Sequence, residues 1–459
     1  MTSNQTSQEM SMEALLSRGA ELSARDGWSR AQLSEFQSNR LRSLLSHAVN
    51  ASPYYRDVLG PKAASGEVPL SELPTLPKAT LMDNFDRIVT DRTLRLSDLE
   101  KHLASAEGHL PFQGYRVFST SGTAGLRGLT VYSEEEFAIW TAASFRLFSW
   151  AGITPQTRLV AIGSPNPMHI TKQLFAAFRS GRQDVPNVSV VTPIDKIVAA
   201  LNDYQPEAVI GYTSLASSLA QEQLDGRLCI RPRVIAVGSE VLTEEARARM
   251  ATAWGIQPVN VYASTEVLYI ATSKPPYTDL HIYDDLVITE VVDENSRPVP
   301  PGSPGFKILV TNLVNRVQPL IRYELSDSVT FAEGPDPSGL PYGRIAAVDG
   351  RSDDILRLPA KAGGHLPVYP YRLTAPFSDL SEVRQYQIIH DDSGLRVRVV
   401  LQPAAPRDTL LQVREALLSA LDAAGAVAPP LEVTAVDTIE REAHGSKLKL
   451  IKSSCPSLL

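Results

Sequence analysis

Val234-Ile235-Ala236-Val237, then Thr243 to Trp254, then Val259-Asn260-Val261-Tyr262: the reading of this stretch decides the fold. Two short Val-rich runs flank a segment with a helical pattern. Thr243 suits an N-cap, and Glu244 and Glu245 suit a first turn, where unpaired backbone N–H groups favour negative charge. Strand, helix and strand at this spacing predict parallel strands joined by a helical crossover. Leu159–Ile162, Val188–Val191 and Ala208–Ile210 are further apolar runs, most of them separated by helical patterns. The expected class is α/β, with a parallel sheet covered on both faces.

The pattern changes on either side. Residues 1–12 are polar and are expected to fray. Met12 to Val49 reads as mostly helical, with Pro53 ending that stretch. Leu73-Pro74-Thr75-Leu76-Pro77-Lys78 reads as an extended connection. Beyond about residue 280, Leu286–Val292, Phe306–Leu313 and Leu320–Tyr323 read as strands between Gly/Pro turns. After Asp349-Gly350-Arg351 come a hairpin around Asp391-Asp392-Ser393-Gly394, an amphipathic helix Leu410–Leu421 and a strand Leu431–Val436. The expected organisation is a large N-terminal domain over 1–349, with parallel α/β sheets and a β subdomain at about 280–349. A small, mobile α+β C-terminal domain over 350–459 follows a hinge near 350–354.

Composition sets bounds on function. Of 459 residues, 43% are hydrophobic and 21% charged, so a substantial core can form. Lys and Arg number 44 against 51 Asp and Glu, and this acidic balance argues against a nucleic-acid partner. Cys229 and Cys455 lie far apart and make neither a disulfide framework nor a metal-binding pair. No apolar run approaches about 18 residues, and no basic-then-apolar leader opens the chain. The expectation is a cytoplasmic protein without membrane contact.

Five segments carry candidate chemistry. Ser119-Thr120-Ser121-Gly122-Thr123-Ala124-Gly125-Leu126-Arg127-Gly128 combines hydroxyls with glycines, the composition of a phosphate cradle. It lacks the Gly-Lys-Ser/Thr of a Walker loop, and composition alone favours a flexible surface loop. Val261-Tyr262-Ala263-Ser264-Thr265-Glu266 closes a strand, where open α/β sheets bind ligands, and a carboxylate there suits Mg²⁺. A helix N-terminus capped by Ser264 is an equal alternative. Arg322-Tyr323-Glu324-Leu325-Ser326-Asp327 and Gly350-Arg351-Ser352-Asp353-Asp354 each pair an Arg with an Asp, suited to a ribose diol or to a surface ion pair. Gly445-Ser446-Lys447-Leu448-Lys449 places lysines near the C-terminus.

In this order the five segments resemble the adenylate-forming superfamily of acyl-CoA synthetases, adenylation domains and luciferases. His47–Arg56, Leu73–Lys78, Val209–Ser214, Gly238-Ser239-Glu240 and Leu280-His281-Ile282 are similar to its phenylacetate–CoA ligase branch. The resemblance runs from about residue 40 to about residue 450. It implies formation of an acyl-adenylate from a carboxylic acid and ATP, with loss of pyrophosphate, then transfer to a thiol such as coenzyme A. The rival expectations are an amine or carrier-protein acceptor, and a non-catalytic nucleotide-binding homologue.

The resemblance also implies roles. Ser119, Thr120, Ser121, Gly122, Thr123 and Gly125 would cradle phosphates. Thr265 would touch the α-phosphate, and Glu266 would hold Mg²⁺. Gly238, Ser239, Glu240 and Tyr262 would surround adenine, and Asp327 and Arg351 the ribose. Asp353 would be the hinge. Lys447 would be the catalytic cation, with Lys449 as the fallback. Trp140, Phe145, Phe148, Tyr212, Val237 and Ala263 would line a pocket for an aromatic acid. A downstream pathway enzyme and a homodimer are compatible with this reading. The chain departs from the family pattern at Gly128, where lysine is usual, and at Ser326, where glycine is usual. It departs again in the Pro- and Gly-rich Leu358–Pro367.

Overall fold

The computed structural model describes residues 12–105, 107–119, 128–163, 170, 173, 186, 188–190, 192–351, 355–368, 370–374, 376–377, 380, 382–402, 405–440 and 449–454. Helices α1 (Met12–Ala24) and α2 (Arg30–Ala51) open it. Ser29 and Gln32 form a reciprocal cap on α2, satisfying two N–H groups that the helix leaves open. Pro53 does not end the helical region. Ser52 caps a new helix, Pro53–Ala64, by accepting the Tyr55 N–H. Proline suits the first position of a helix, because an N–H there would have no intrahelical partner.

An antiparallel hairpin of β1 (Tyr115–Ser119) and β2 (Leu129–Ser133) leads into α3 (Glu134–Ala151). The alternating region follows: β3 (Leu159–Ile162), α4 (Ile194–Tyr204), β4 (Ala208–Tyr212), α5 (Thr213–Leu224), β5 (Val234–Gly238), α6 (Glu244–Trp254) and β6 (Val259–Ser264). Strands β3 to β6 pair in parallel, as the spacing predicts. Thr243 caps α6 by accepting the Ala246 N–H at 3.2 Å. The run at Val188–Val191 contributes a parallel bridge between Ser189 and Gly163. Side chains alternate between two cores, as a strand requires. Ala208, Ile210, Val234 and Ala236 join the cluster that includes α3, while Val209, Ile235 and Val237 pack beneath α4, α5 and α6.

The chain then reverses. Ser264 Oγ accepts the Val267 N–H at 3.2 Å, closing a turn into β7 (Leu268–Ser273), which runs antiparallel to β6. Strand β8 (Leu280–Ile282) pairs with β7. Strands β9 (Val287–Val292), β10 (Lys307–Asn312) and β11 (Tyr323–Leu325) form their own antiparallel sheet. From the same stretch, β12 (Asp327–Phe331) and β13 (Arg344–Arg351) join the main sheet, whose order is β12-β13-β8-β7-β6-β5-β4-β3. Antiparallel neighbours thereby satisfy the backbone edge that the reversal at β6 exposes.

The C-terminal portion has a separate core, built from Leu356 through Ile451. Strands β14 (Leu356–Pro359) and β15 (His365–Val368) pair. Strands β16 (Val383–Asp391) and β17 (Gly394–Leu401) make the expected hairpin, and α7 (Thr409–Ala423) buries Val413, Leu417 and Leu421. Strand β18 (Leu431–Ala435) adds to β17, and β19 (Ile451–Ser453), absent from the sequence reading, adds to β16. The sheet order is β18-β17-β16-β19.

One buried ion pair joins distant parts of the large portion. Arg146 on α3 and Asp285, just before β9, both have fully buried side chains and meet at 2.8 Å. Arg25 also donates to Asp285 at 2.8 Å, and Arg146 donates to the Leu22 carbonyl at 2.7 Å. Burial pushes the Asp285 carboxyl up, but Arg146 and Arg25 outweigh it and hold the group below the usual range. Asp285→Asn leaves a buried guanidinium without its carboxylate, and should cost about 3–5 kcal/mol in urea unfolding.

Asp349 on β13 is half-buried, with the Thr330 hydroxyl at 3.4 Å, and burial pushes its carboxyl up to about 6. The folded chain therefore holds this proton more tightly than the unfolded chain, where Asp titrates near about 3.9. The resulting stability is full below about pH 4 and is lost as pH rises through about 6. Asp349→Asn stays neutral throughout, so it should match the parent near pH 4 and exceed it by about 1–3 kcal/mol at pH 8. Urea unfolding at both pH values measures the difference.

Candidate functional site

Three strand ends converge at the C-terminal edge of the parallel strands. At β5, Gly238 lies so close to β6 that a Cβ there would fall 2.7 Å from the Val261 carbonyl oxygen. Ser239 follows in a left-handed conformation, with φ of 65°. The Glu240 carboxylate then accepts the Ser214 N–H at 2.7 Å, and its carbonyl accepts from the Thr213 hydroxyl at 3.3 Å. These two bonds tie the loop after β5 to the start of α5.

At β6, the Tyr262 hydroxyl donates to the Asp327 carboxylate at 2.8 Å, linking β6 to the first residue of β12. Asp327 is in turn the register partner of Arg351 across β12 and β13. The structure thus gathers the proposed adenine and ribose residues from three separate motifs. Of Arg351, the backbone alone is described.

Thr265 and Glu266 occupy the β6–β7 turn, not a helix N-terminus. Glu266 is 7% exposed, and its Oε1 accepts from the Tyr323 hydroxyl at 3.1 Å. Its carbonyl accepts from the Tyr132 hydroxyl at 2.7 Å and from Asn312 Nδ2 at 3.4 Å. Burial, then the nearby Glu266 charge, pushes the Tyr132 hydroxyl up. A carboxylate has about four lone-pair positions, so the Tyr323 bond leaves room for a cation. This donor fits Mg²⁺, which takes one or two carboxylates together with phosphate oxygens. Among the described residues no cluster of three or more His, Cys, Asp or Glu could cage a metal alone. Tyr132 and Asn312 carry no sequence signal for this role, whereas Tyr323 lies inside the Arg-Tyr motif.

Arg322 serves the fold. It is 3% exposed, with φ of 49°, and its guanidinium grips Glu290 through two bonds of 3.0 Å. The extended segment expected at Leu73–Lys78 docks here, with Leu76 bridging Tyr323 in parallel. The pocket residues do not form one lining. Trp140 is fully buried in the core beside α3, while Tyr212 and Val237 sit in the core beneath α4, α5 and α6. Phe145 faces α1, where a Cβ on Gly19 would approach its ring at 2.9 Å, and stacks edge-on against Phe148. Ala263 alone of these is exposed. The physical reason is strand alternation, which divides neighbouring residues between two faces.

Ser119 ends β1 and Gly128 precedes β2, so the hairpin stem brackets the Ser/Thr/Gly loop. Thr120, Ser121, Gly122, Thr123 and Gly125 lie outside the described residues, as do Asp353 and Lys447. Lys449 is described. Its carbonyl accepts from Gln387 Nε2 at 2.9 Å, immediately before β19. The Pro- and Gly-rich departure is the β14–β15 hairpin, pinned to the end of α7 by Lys361 N–H to the Gly425 carbonyl at 2.9 Å. A cleft of about 310 Å³ lies elsewhere, beside Tyr277, Asp279, His281, Asp336 and Arg344. Its acidic and basic side chains are paired with one another: Arg344 with Asp279, and His281 with Asp336.

No protein-family model matches the chain. A phenylacetate–coenzyme A ligase of Thermus thermophilus is 25% identical over 393 residues, covering 81% of this chain and 82% of that one. Its Escherichia coli counterpart is 25% identical over 343 residues, covering 71% and 72%. Among solved structures, 2-hydroxyisobutyryl-CoA ligase in a postadenylation state superposes with a TM-score of 0.72 at 19% identity, covering 94% of this chain and 91% of that one. The same ligase in its thioesterification state superposes with a TM-score of 0.57. The strand-end constellation and these relatives together make the chain similar to the phenylacetate–CoA ligase-like branch of the adenylate-forming superfamily.

Proposed function

We propose that this protein is an ATP-dependent acid–thiol ligase acting on a small carboxylic acid, with aromatic acids the first class to test. The observation that carries this reading is the convergence of Glu240, Tyr262, Glu266 and Asp327 at the strand ends, with Arg351 in register. A carboxylate oxygen of the acid attacks the α-phosphorus of ATP. The bond to pyrophosphate breaks, leaving an acyl-adenylate. A coenzyme A thiolate then attacks the acyl carbon, and AMP leaves.

The protein's part is positioning and charge neutralisation. Glu240 and Tyr262 shape the adenine side, and Asp327 with Arg351 takes the ribose hydroxyls. The loop over 120–127, held by its hairpin stem, cradles the β- and γ-phosphates, and Thr265 reaches the α-phosphate. Glu266 would hold Mg²⁺, which would supply charge neutralisation for the phosphates. Lys447 brings a cation between the approaching carboxylate and the α-phosphate. This division of labour assigns 1–349 to nucleotide binding and 350–459 to a lid turning near 350–354. The separate core of the C-terminal portion and Gly350, with φ of 114°, support that division. A cytoplasmic setting supplies both ATP and the free thiol. Among the described residues no helix is long and apolar enough to cross a membrane.

Pyrophosphate–ATP exchange across a panel of aryl and short aliphatic acids tests adenylation, and added coenzyme A tests the acceptor. Exchange without a thioester product would favour a different acceptor, such as an amine or a carrier thiol. No exchange with any acid would overturn the enzymatic reading.

Glu266→Gln should keep the fold and lower acid-dependent exchange by about 10²-fold or more, because the cation loses its charged ligand. Exchange near the parent rate would remove Glu266 from the metal site.

Lys447→Ala should lose about 10²–10³-fold in adenylation while retaining ATP binding and transfer from a supplied acyl-adenylate. Lys449→Ala, run in parallel, decides between the two lysines. If neither slows adenylation, the catalytic cation comes from elsewhere.

A further inference from the structure

Strand β16 carries a bulge where it meets the large portion. Its register against β17 slips between Val383 and Gln385, so Arg384 has no partner across the ladder. Bulges re-aim backbone groups, and here two carbonyls turn toward α6. Arg249 on α6 donates to the Val383 carbonyl at 3.0 Å and to the Arg384 carbonyl at 3.1 Å. Ser217 Oγ accepts from the same guanidinium at 3.0 Å, and Glu245, one turn earlier on α6, pairs with it. The Arg249 side chain is 9% exposed and that of Glu245 is 12%. A planar guanidinium can hold several acceptors in one fixed geometry, which an ammonium cannot.

Two further contacts flank this grip. The Arg384 guanidinium reaches Glu222 and Asp225, each at 3.4 Å, and Gln385 Nε2 donates to Ser218 Oγ at 3.3 Å. Tyr386 stands next in the strand, stacked on Phe377 at 3.6 Å, with its hydroxyl buried and unpaired among the described residues. An unpaired buried hydroxyl carries a desolvation cost. Arg249 and its neighbours hold the contact together.

We infer that Arg249 and the β16 bulge form a latch that holds the C-terminal unit in the orientation seen here, and that its release sets the balance between the two half-reactions. This rests on the ligase reading above for its kinetic consequence, but not for its structural one. Arg249 is a positioning residue in this scheme, acting through β16 and the β19 strand paired with it.

The test uses the full chain with Cys455→Ser and two spin labels. One is on the exposed native Cys229 and the other on Glu415→Cys, an exposed site on α7. Arg249→Met should shift the ratio of the closed distance to longer or broader ones by roughly tenfold, the loss of charged hydrogen bonds. Arg249→Lys should fall between, and Arg384→Ala provides a second, more solvent-exposed variant. Thermal melting checks that each variant folds. With phenylacetate, or whichever acid the panel identifies, Arg249→Met should change exchange and thioester transfer by unequal factors. An unchanged distance distribution in Arg249→Met and Arg384→Ala overturns the latch. So does a shifted distribution with both half-reactions changed equally. If the parent shows no exchange with any acid, the ligase reading fails on its own, and the distances still decide the latch.

Discussion

The fully buried pair of Arg146 and Asp285 is the constraint on which the large portion depends. Two charges taken out of water are tolerable only when each answers the other and their remaining hydrogen-bonding capacity is filled. Here most of that capacity is met by distant chain segments, while Arg146 Nε has only the Asp26 carboxylate at 3.5 Å. Arg25 and the Leu22 carbonyl belong to the N-terminal helical region, Arg146 to α3, and Asp285 to the junction between the main sheet and the β9–β11 sheet. Tyr283 and Tyr342 place rings 4.9 and 5.0 Å from the guanidinium. The pair dictates where α1 and α3 lie, and α3 in turn packs its buried face into the core of the sheet that presents the site.

The site itself repeats this logic with neutral donors. Tyr323 and Tyr132 anchor Glu266 through its carboxylate and its carbonyl, from two strands outside the main sheet. Tyr262 anchors Asp327 in the same way. Glu266 and Asp327 are thus each oriented by a tyrosine that arrives from elsewhere in the chain, while Glu240 is held by the Ser214 N–H. Such an arrangement sets the carboxylates in place before any nucleotide arrives, so little reorganisation accompanies the reaction.

The local features were legible in the sequence because they rest on local physics. The Thr243 cap, the parallel runs at Val234 and Val259, and the hairpin at Asp391–Gly394 depend on residues close in sequence. The motif order pointed to Glu240, Tyr262, Glu266, Asp327 and Arg351 as members of one site. What could not be read were the non-local pairings. Nothing in Arg322 announces that Glu290 will consume it. Nothing in Ile451-Lys452-Ser453 announces a strand, because three residues show no period and their pairing partner lies in β16. The pocket reading failed for a related reason. Tyr212, Val237 and Trp140 have the right bulk, but which face a side chain takes follows from strand register and helix packing.

Strand β19 has a mechanical consequence. It is three residues long, lies at the outer edge of its sheet, and is continuous with the tail that carries the two candidate lysines. It holds to β16 within a few residues of the place that Arg249 grips. A short edge strand is the cheapest part of a sheet to fray. Tension on the extreme C-terminus would peel β19 away before it disturbed the rest of the small core. A fusion partner or a surface attached at that end would load this seam directly, whereas one attached at the N-terminus would pull on helices well removed from it in the chain.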